Sequence, residues 1–169
     1  MKTHRFISQQ SFPVAREELF PFFTDVSNLE RITPPWLAFR ILTPLPIEMK
    51  SGSLIEYRLK LHGIPVRWRT RISEWNPPYN FTDEQLSGPY RMWRHEHLFE
   101  EGDGGTLMTD RVTYSHFGGP LIERWLVRPD VEKIFDWRRR ELERLFGSAI
   151  SPEPNTEGTN VKIDRFSSV

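Results

Sequence analysis

Five consecutive segments of the sequence alternate apolar and polar residues with a period of two, and this feature most restricts the fold. Short turns join them, including His62-Gly63, Gly88-Pro89 and GDGG. Because successive side chains of a β-strand point to opposite faces, each segment predicts a strand with one apolar face and one charged face. The short turns favour an antiparallel meander. The five segments are residues 54–61, 64–75, 81–87, 91–100 and 106–116.

The residues before this meander predict one strand followed by two short helices. Residues 4–12 predict the strand, and the apolar cluster at 19–23 predicts a short buried helix. Pro21 should bend that helix or lie near its first turn, because proline lacks a backbone donor. A second short helix is expected over 27–32, where Ser27 begins the capping-box sequence Ser-Asn-Leu-Glu.

The last element predicted by the sequence is one long amphipathic helix, LIERWLVRPDVEKIFDWRRRELERLFG. Pro129 should kink or restart it. The only element large enough to cover the apolar face of the sheet is this helix, so an α+β fold is expected. Most apolar positions are spaced by three, four or seven residues, and they are Val131, Ile134, Phe135, Leu142 and Leu145. The polar face is assigned Arg138, Arg139, Glu141, Glu143 and Arg144.

The boundaries and composition of the chain exclude several classes of protein. Residues 1–147 are expected to form one domain, and the polar residues 148–169 to form a disordered C-terminal tail. The 23 basic and 23 acidic residues give a formal net charge of zero. Cysteine is absent, so thiol chemistry and disulfides are excluded. The basic run RWRTR (67–71) lies on the charged face, where cross-strand ion pairs are expected, so no nucleic-acid partner is predicted. The sequence has no long apolar run, so we do not expect stable membrane insertion. We expect a cytoplasmic location.

Four stretches of the sequence resemble one superfamily. FPVAREELFPFFTDVSNLERITPPW resembles the opening helices of the START-related SRPBCC superfamily, which includes polyketide cyclases, lipid-transfer domains and coenzyme Q-binding proteins. GPYRMWRHEHLFE, GGTLMTDRVTY and IFDWRRRELERLFG resemble an uncharacterised bacterial branch, described as polyketide cyclase/dehydrase-like. The resemblance covers roughly residues 3–147. It implies a helix-grip fold, in which a curved antiparallel sheet wraps around a long C-terminal helix and encloses a deep cavity.

The apolar face of the sheet and the facing side of the helix supply the candidate ligand-binding residues. An apolar wall with a few orienting polar groups is typical of a small-molecule pocket. The candidates are Tyr57, Trp68, Gln85, Arg91, Trp93, His95, His97, Phe99, Asp110, Tyr114, Trp125, Ile134 and Phe135.

His95 and His97 lie on the same apolar strand face, and four interpretations are open. They can be structural residues satisfied by Asp110 or Gln85, or they can bind a polar group of a ligand. They can serve as general acid–base groups, with Asp110 a further catalytic candidate. A metal ion would need a third ligand, for which Asp110 and His116 are available. His-x-His is too weak a motif to predict a metal, and no cofactor is predicted.

Binding is the leading functional prediction. No activated serine, cysteine or lysine nucleophile is evident, so we expect a carrier of a small hydrophobic or amphipathic molecule, such as a lipid, quinone or polyketide-like compound. The alternative is an enzyme of the cyclase/dehydratase type that uses His95 or His97 as an acid–base group. Fusions in the resembling branch imply a sugar-nucleotide epimerase-like partner. The chain is expected to be a monomer or a dimer.

Overall fold

The structure, a computed structural model, describes residues 2–147. The strands are β1 (His4–Phe12), β2 (Arg40–Ile41), β3 (Leu54–Leu61), β4 (Ile64–Asn76), β5 (Asn80–Ser87), β6 (Met92–Gly102) and β7 (Gly105–Ser115). The helices are α1 (Arg16–Thr24), two 3₁₀ helices (Val26–Glu30 and Pro35–Leu37), α2 (Gly119–Ile122), a π-helical turn (Glu123–Val127) and α3 (Arg128–Phe146). The predicted C-terminal tail lies outside the described residues.

The seven strands form one antiparallel sheet in the order β1-β7-β6-β5-β4-β3-β2. The sheet curves around α3, and α1 and the 3₁₀ helices fill the remaining end, so the predicted α+β helix-grip fold is confirmed. The tight turn after β3 also agrees with its sequence signal, because His62 and Gly63 both have positive φ, as a type I′ hairpin requires. None of the helices within residues 2–147 is long and apolar enough to cross a membrane.

The period-two pattern separates the two faces of the sheet as predicted. Inner-face side chains such as Ile55, Phe99 and Val112 are buried. On the outer face two of the three arginines of the RWRTR run pair across strands, with Arg67 3.9 Å from Glu56 and Arg71 3.3 Å from Glu84. These basic residues therefore belong to a solvated ion-pair surface.

The short helices differ from their predicted form in two details. The helix α1 continues through Pro21 for nine residues, because its buried face, Leu19, Phe20 and Phe23, packs against the aromatic core. The second helix is a 3₁₀ turn capped by Asp25, whose carboxylate accepts from the backbone and hydroxyl of Ser27. The prediction that Ser27 is the capping residue was therefore wrong.

The helical turn before α3 places Trp125 in solvent. A π turn contains more residues per turn than an α-helix, so it rotates the following side chains relative to an α-helical register. Glu123 turns inward, where Tyr114 donates a hydrogen bond to it at 2.9 Å, and Trp125 is 71% exposed. The prediction that Trp125 lines the cavity was therefore wrong.

The helix α3 buries a charged residue in its apolar stripe. Val131, Phe135, Arg138 and Leu142 are its buried residues, and Arg138 is only 9% exposed. Its assignment to the polar face was wrong, because a carboxylate of β7, Asp110, lies beneath it and compensates the guanidinium.

Candidate ligand-binding site

A cavity of about 180 Å³ lies between the inner face of the sheet and α3. Strands β3 to β6 supply one wall, α3 supplies the opposite wall, and the 3₁₀ helices close one end. Seven of the predicted site residues line it: Tyr57, Trp68, Trp93, His95, His97, Ile134 and Phe135. The wall is predominantly apolar, which is the character expected of a pocket for a small organic molecule.

The other predicted site residues lie outside the cavity wall. Phe99 packs in the core against α1, and Tyr114 is bonded to Glu123. Gln85 bonds the backbone of Tyr90 instead of a histidine. The guanidinium of exposed Arg91 lies over the Phe117 ring, and Asp110 lies beside the histidines and next to Arg138.

One end of the cavity is a cluster of aromatic rings. Trp68 stacks on Tyr57 with ring centroids 5.8 Å apart and meets Trp93 edge-on at 5.4 Å. Tyr90 packs against Trp93 at 4.7 Å. Burial raises the pKa of Tyr57 well above its usual value, so its phenol stays neutral. Mutually packed rings form a rigid surface against which a planar ligand can stack.

The other end of the cavity is lined by four ionisable side chains, and a fifth, Asp110, lies behind them; together they come from three strands and one helix. His95 Nε2 lies 2.8 Å from Asp110 Oδ1, and His97 Nε2 lies 3.1 Å from Asp83 Oδ2. The second nitrogens point the other way, with His97 Nδ1 3.0 Å from Asp110 Oδ1 and His95 Nδ1 3.7 Å from Asp83 Oδ2. Arg138 Nε lies 3.5 Å from Asp110 Oδ2. Each imidazole therefore bridges the same two carboxylates.

The pKa values of the two imidazoles move in opposite directions. Burial and the neighbouring His97 lower the pKa of His95. Burial also lowers the pKa of His97, but the carboxylates of Asp110 and Asp83 outweigh it and raise the pKa above its usual value.

Both carboxylates remain ionised. Burial acts to raise the pKa of Asp110, but Arg138 and the two imidazoles hold it well below its usual range. The pKa of Asp83 is lowered because hydrogen bonding to His97 and the charge of the imidazoles outweigh its burial. Arg138 and the two imidazoles face these two carboxylates, which reduces the cost of burying the charges.

Two of these five residues, Asp83 and Arg138, are absent from the predicted site residues, although the sequence position of each indicated the inner face. Asp83 lies between Phe81 and Gln85 on the same face of β5, and it is directly opposite His95 in the sheet. Arg138 is seven residues after Val131 and three after Phe135, on the buried stripe of α3. In both cases the charge of the residue favours exposure, whereas its position in the repeat favours burial.

His116, predicted as an alternative metal ligand, belongs to a different cluster. Its Nε2 lies 3.0 Å from Glu123, and its Nδ1 lies 2.8 Å from the carbonyl oxygen of Phe117. His4 also contacts Glu123, at 3.3 Å, and burial lowers the pKa of His4. This cluster joins the π turn to the edge of the sheet, away from His95 and His97.

A curved antiparallel sheet that grips a long helix over an internal cavity defines the helix-grip class of proteins. The family model for polyketide cyclase / dehydrase and lipid transport matches residues 12–143. The chain therefore belongs to that family, within the START-related SRPBCC superfamily.

Solved structures of low sequence identity share the fold. Protein CV1439 from Chromobacterium violaceum matches with a TM-score of 0.67 and 10% identity, covering 85% of this chain and 96% of that one. Major latex-like protein 151 from Panax ginseng matches with 0.64 and 13%, covering 86% and 99%. Protein Ms6760 from Mycobacterium smegmatis matches with 0.62 and 15%, covering 83% and 89%. A search of curated proteins found no match.

Proposed function

We propose that this chain binds a compact, largely apolar molecule that carries a hydrogen-bond acceptor. The observation that carries the proposal is an apolar cavity whose wall includes two buried donors without a partner among the described residues. These donors are Trp68 Nε1 and Arg138 Nη2. A buried polar group left unpaired costs about 1–3 kcal/mol, and more if charged, so a ligand acceptor bonded to either donor would recover that energy.

The size of the cavity restricts the ligand. An apolar cavity of about 150 Å³ can enclose benzene, so about 180 Å³ suits one or two fused rings better than a long acyl chain. The stacked rings of Tyr57 and Trp68 favour a planar molecule. Among the predicted ligand classes, a quinone or a polyketide-like aromatic carbonyl compound fits these features better than a lipid.

The arrangement of the histidines favours binding over the cyclase/dehydratase alternative. All four imidazole nitrogens of His95 and His97 lie within 3.7 Å of a carboxylate oxygen. A general acid or base needs a nitrogen within hydrogen-bond reach of the reacting group. Neither ring offers a nitrogen that is free of its carboxylate neighbours.

A pair of matched ligands tests the proposal. We expect 1,4-naphthoquinone to bind with a stoichiometry of one and to quench tryptophan fluorescence, measured with calorimetry in parallel. Leu59→Phe should weaken binding at least tenfold because Leu59 lines the cavity, and the exposed Leu86→Phe should not.

The role of the buried donor is tested with the same compounds. A hydrogen bond to a charged group contributes about 1.5–3 kcal/mol, so Arg138→Met should weaken naphthoquinone binding about 10- to 100-fold. Naphthalene, which has no acceptor, should bind both proteins equally. If Leu59→Phe leaves binding unchanged, the ligand occupies another site and the proposal fails.

A further inference from the structure

We propose that Asp83, His95 and His97 form a binding site for a divalent first-row transition-metal ion at the polar end of the cavity. One donor atom from each residue can be chosen such that all three lie within 4.8 Å of one another. Strand pairing brings them together, because Asp83 on β5 is directly opposite His95 on β6, and His97 follows on the same face. The inference goes beyond the proposed organic ligand and does not depend on it.

The distances between the donors suit one ion. Metal–nitrogen and metal–oxygen bonds of about 2.0–2.1 Å place neighbouring ligand atoms about 2.9–3.4 Å apart in octahedral or tetrahedral coordination. Asp83 Oδ2 lies 3.1 Å from His97 Nε2 and 3.7 Å from His95 Nδ1. The first distance is already in this range. A small rotation of the Asp83 side chain would bring its oxygen into the same range from His95 Nδ1.

One carboxylate, Asp110, lies behind both imidazoles: His95 Nε2 is hydrogen-bonded to it, and His97 Nδ1 lies within ion-pair distance of it without a well-aligned hydrogen bond. Histidine ligands usually donate their second N–H to a carboxylate or carbonyl, which fixes the tautomer and the ring orientation. Here both second nitrogens, His95 Nε2 and His97 Nδ1, lie within 3.0 Å of one oxygen of Asp110. The other Asp110 oxygen faces Arg138 Nε at 3.5 Å, so this carboxylate is itself held in position.

The two rings are held rigidly, so the site needs little reorganisation. His97 stacks on Phe81 with ring centroids 4.2 Å apart, and His95 lies against Phe135 at 5.4 Å. Ligands held by packing and by outer-shell hydrogen bonds lose little entropy when a metal binds.

The type of ion follows from the donors. Two imidazoles and one carboxylate suit zinc, cobalt or iron(II), whereas calcium and magnesium prefer oxygen ligands. His95 and His97 both line the cavity, so the remaining coordination positions would face its interior. An oxygen atom of a bound molecule could occupy one of these positions.

The cluster of His4, His116 and Glu123 provides a matched control. It also has two histidines and one carboxylate within coordination range. However, Tyr114 donates to Glu123 Oε1, and Arg128 Nε lies 3.6 Å from the same oxygen, so this carboxylate oxygen is already engaged. It lacks a shared carboxylate behind both rings.

The test uses the full chain without a histidine tag, treated with EDTA and then dialysed. We expect Zn²⁺ and Co²⁺ to bind with a stoichiometry of one in calorimetry, and Co²⁺ to give a visible ligand-field spectrum. Asp83→Asn and His97→Gln should abolish that spectrum, and the control His116→Gln should leave it unchanged. Asp110→Asn should weaken binding about 10- to 100-fold, as loss of an outer-shell partner does.

Circular dichroism checks that each variant is folded, and Asp83→Asn is the mildest because its side chain is 18% exposed. The inference is overturned if the folded wild-type chain binds neither ion, or if binding survives Asp83→Asn and is lost in His116→Gln. Naphthoquinone binding by the metal-free chain is measured in parallel, so failure of the metal site and failure of the organic ligand are read separately.

Discussion

Replacing Asp110 by asparagine should destabilise the fold more than other isosteric changes of a carboxylate. Asp110 is 6% exposed and faces three cationic or polar groups: His95 at 2.8 Å, His97 at 3.0 Å and Arg138 at 3.5 Å. Asparagine preserves the shape and one acceptor oxygen but removes the charge. Arg138 then stays buried without a counter-ion.

The size of the effect follows from these contacts. Removing one partner of a buried ion pair costs about 3–5 kcal/mol. The lower end applies here, because Asp83 still faces both imidazoles when Asp110 is neutral. For a domain of this size about 3 kcal/mol corresponds to a fall in Tm of about 9 °C.

Urea denaturation and calorimetry in EDTA measure the change without metal or ligand. Asp103→Asn, in the exposed turn between β6 and β7, is the matched control and should change the unfolding free energy by less than about 0.5 kcal/mol. A double-mutant cycle with Arg138→Met should show coupling, since the second change costs less once Asp110 is neutral. If Asp110→Asn melts within about 2 °C of the wild type, the compensation argued for this network is wrong.

Three further substitutions test the packing. Leu142→Ala should cost about 2–5 kcal/mol in urea denaturation, because Leu142 is 1% exposed in the main core; a cost near zero would contradict its placement. Gly105→Ala should strongly destabilise the fold, since an added Cβ would lie 1.9 Å from the Phe12 carbonyl oxygen. Gly102→Ala is the control, because its added Cβ meets nothing closer than 3.7 Å. Equal melting temperatures of the two variants would refute the register of β1 on β7. Trp125→Ser should change neither stability nor naphthoquinone affinity. A loss of affinity would show that Trp125 belongs to the ligand-binding site.

The sheet could be predicted from the sequence because its period-two pattern follows from strand geometry. Side chains alternate along a strand whatever their chemistry, so the inward placement of His95, His97 and Phe99 followed from position alone. The prediction extends only as far as the register is regular. A bulge between Ile72 and Glu74 shifts the pairing of β4, and nothing in the residue types marks it.

The polar end of the site could be predicted only in part, because neither Asp83 nor Arg138 was assigned to the inner face. Asp83 and Arg138 occupy inward positions of their repeats, but each is buried only because residues distant in the chain compensate its charge. The prediction for Trp125 was wrong for the opposite reason, since an apolar residue in a π turn was assumed to face inward. The size of the cavity depends on how far the sheet curls around α3, which no local pattern encodes.

The pairing of β1 with β7 has a consequence for synthesis. His4 pairs with Tyr114, so the first strand leaves the ribosome roughly a hundred residues before its partner exists. At about 5–20 residues per second that interval is about 5–20 s, during which β1 is an unpaired strand able to join other chains. Arg138 emerges later still, so the nascent chain holds its two histidines and both carboxylates before the residue that compensates them. We expect chaperones to protect this protein until α3 has been translated.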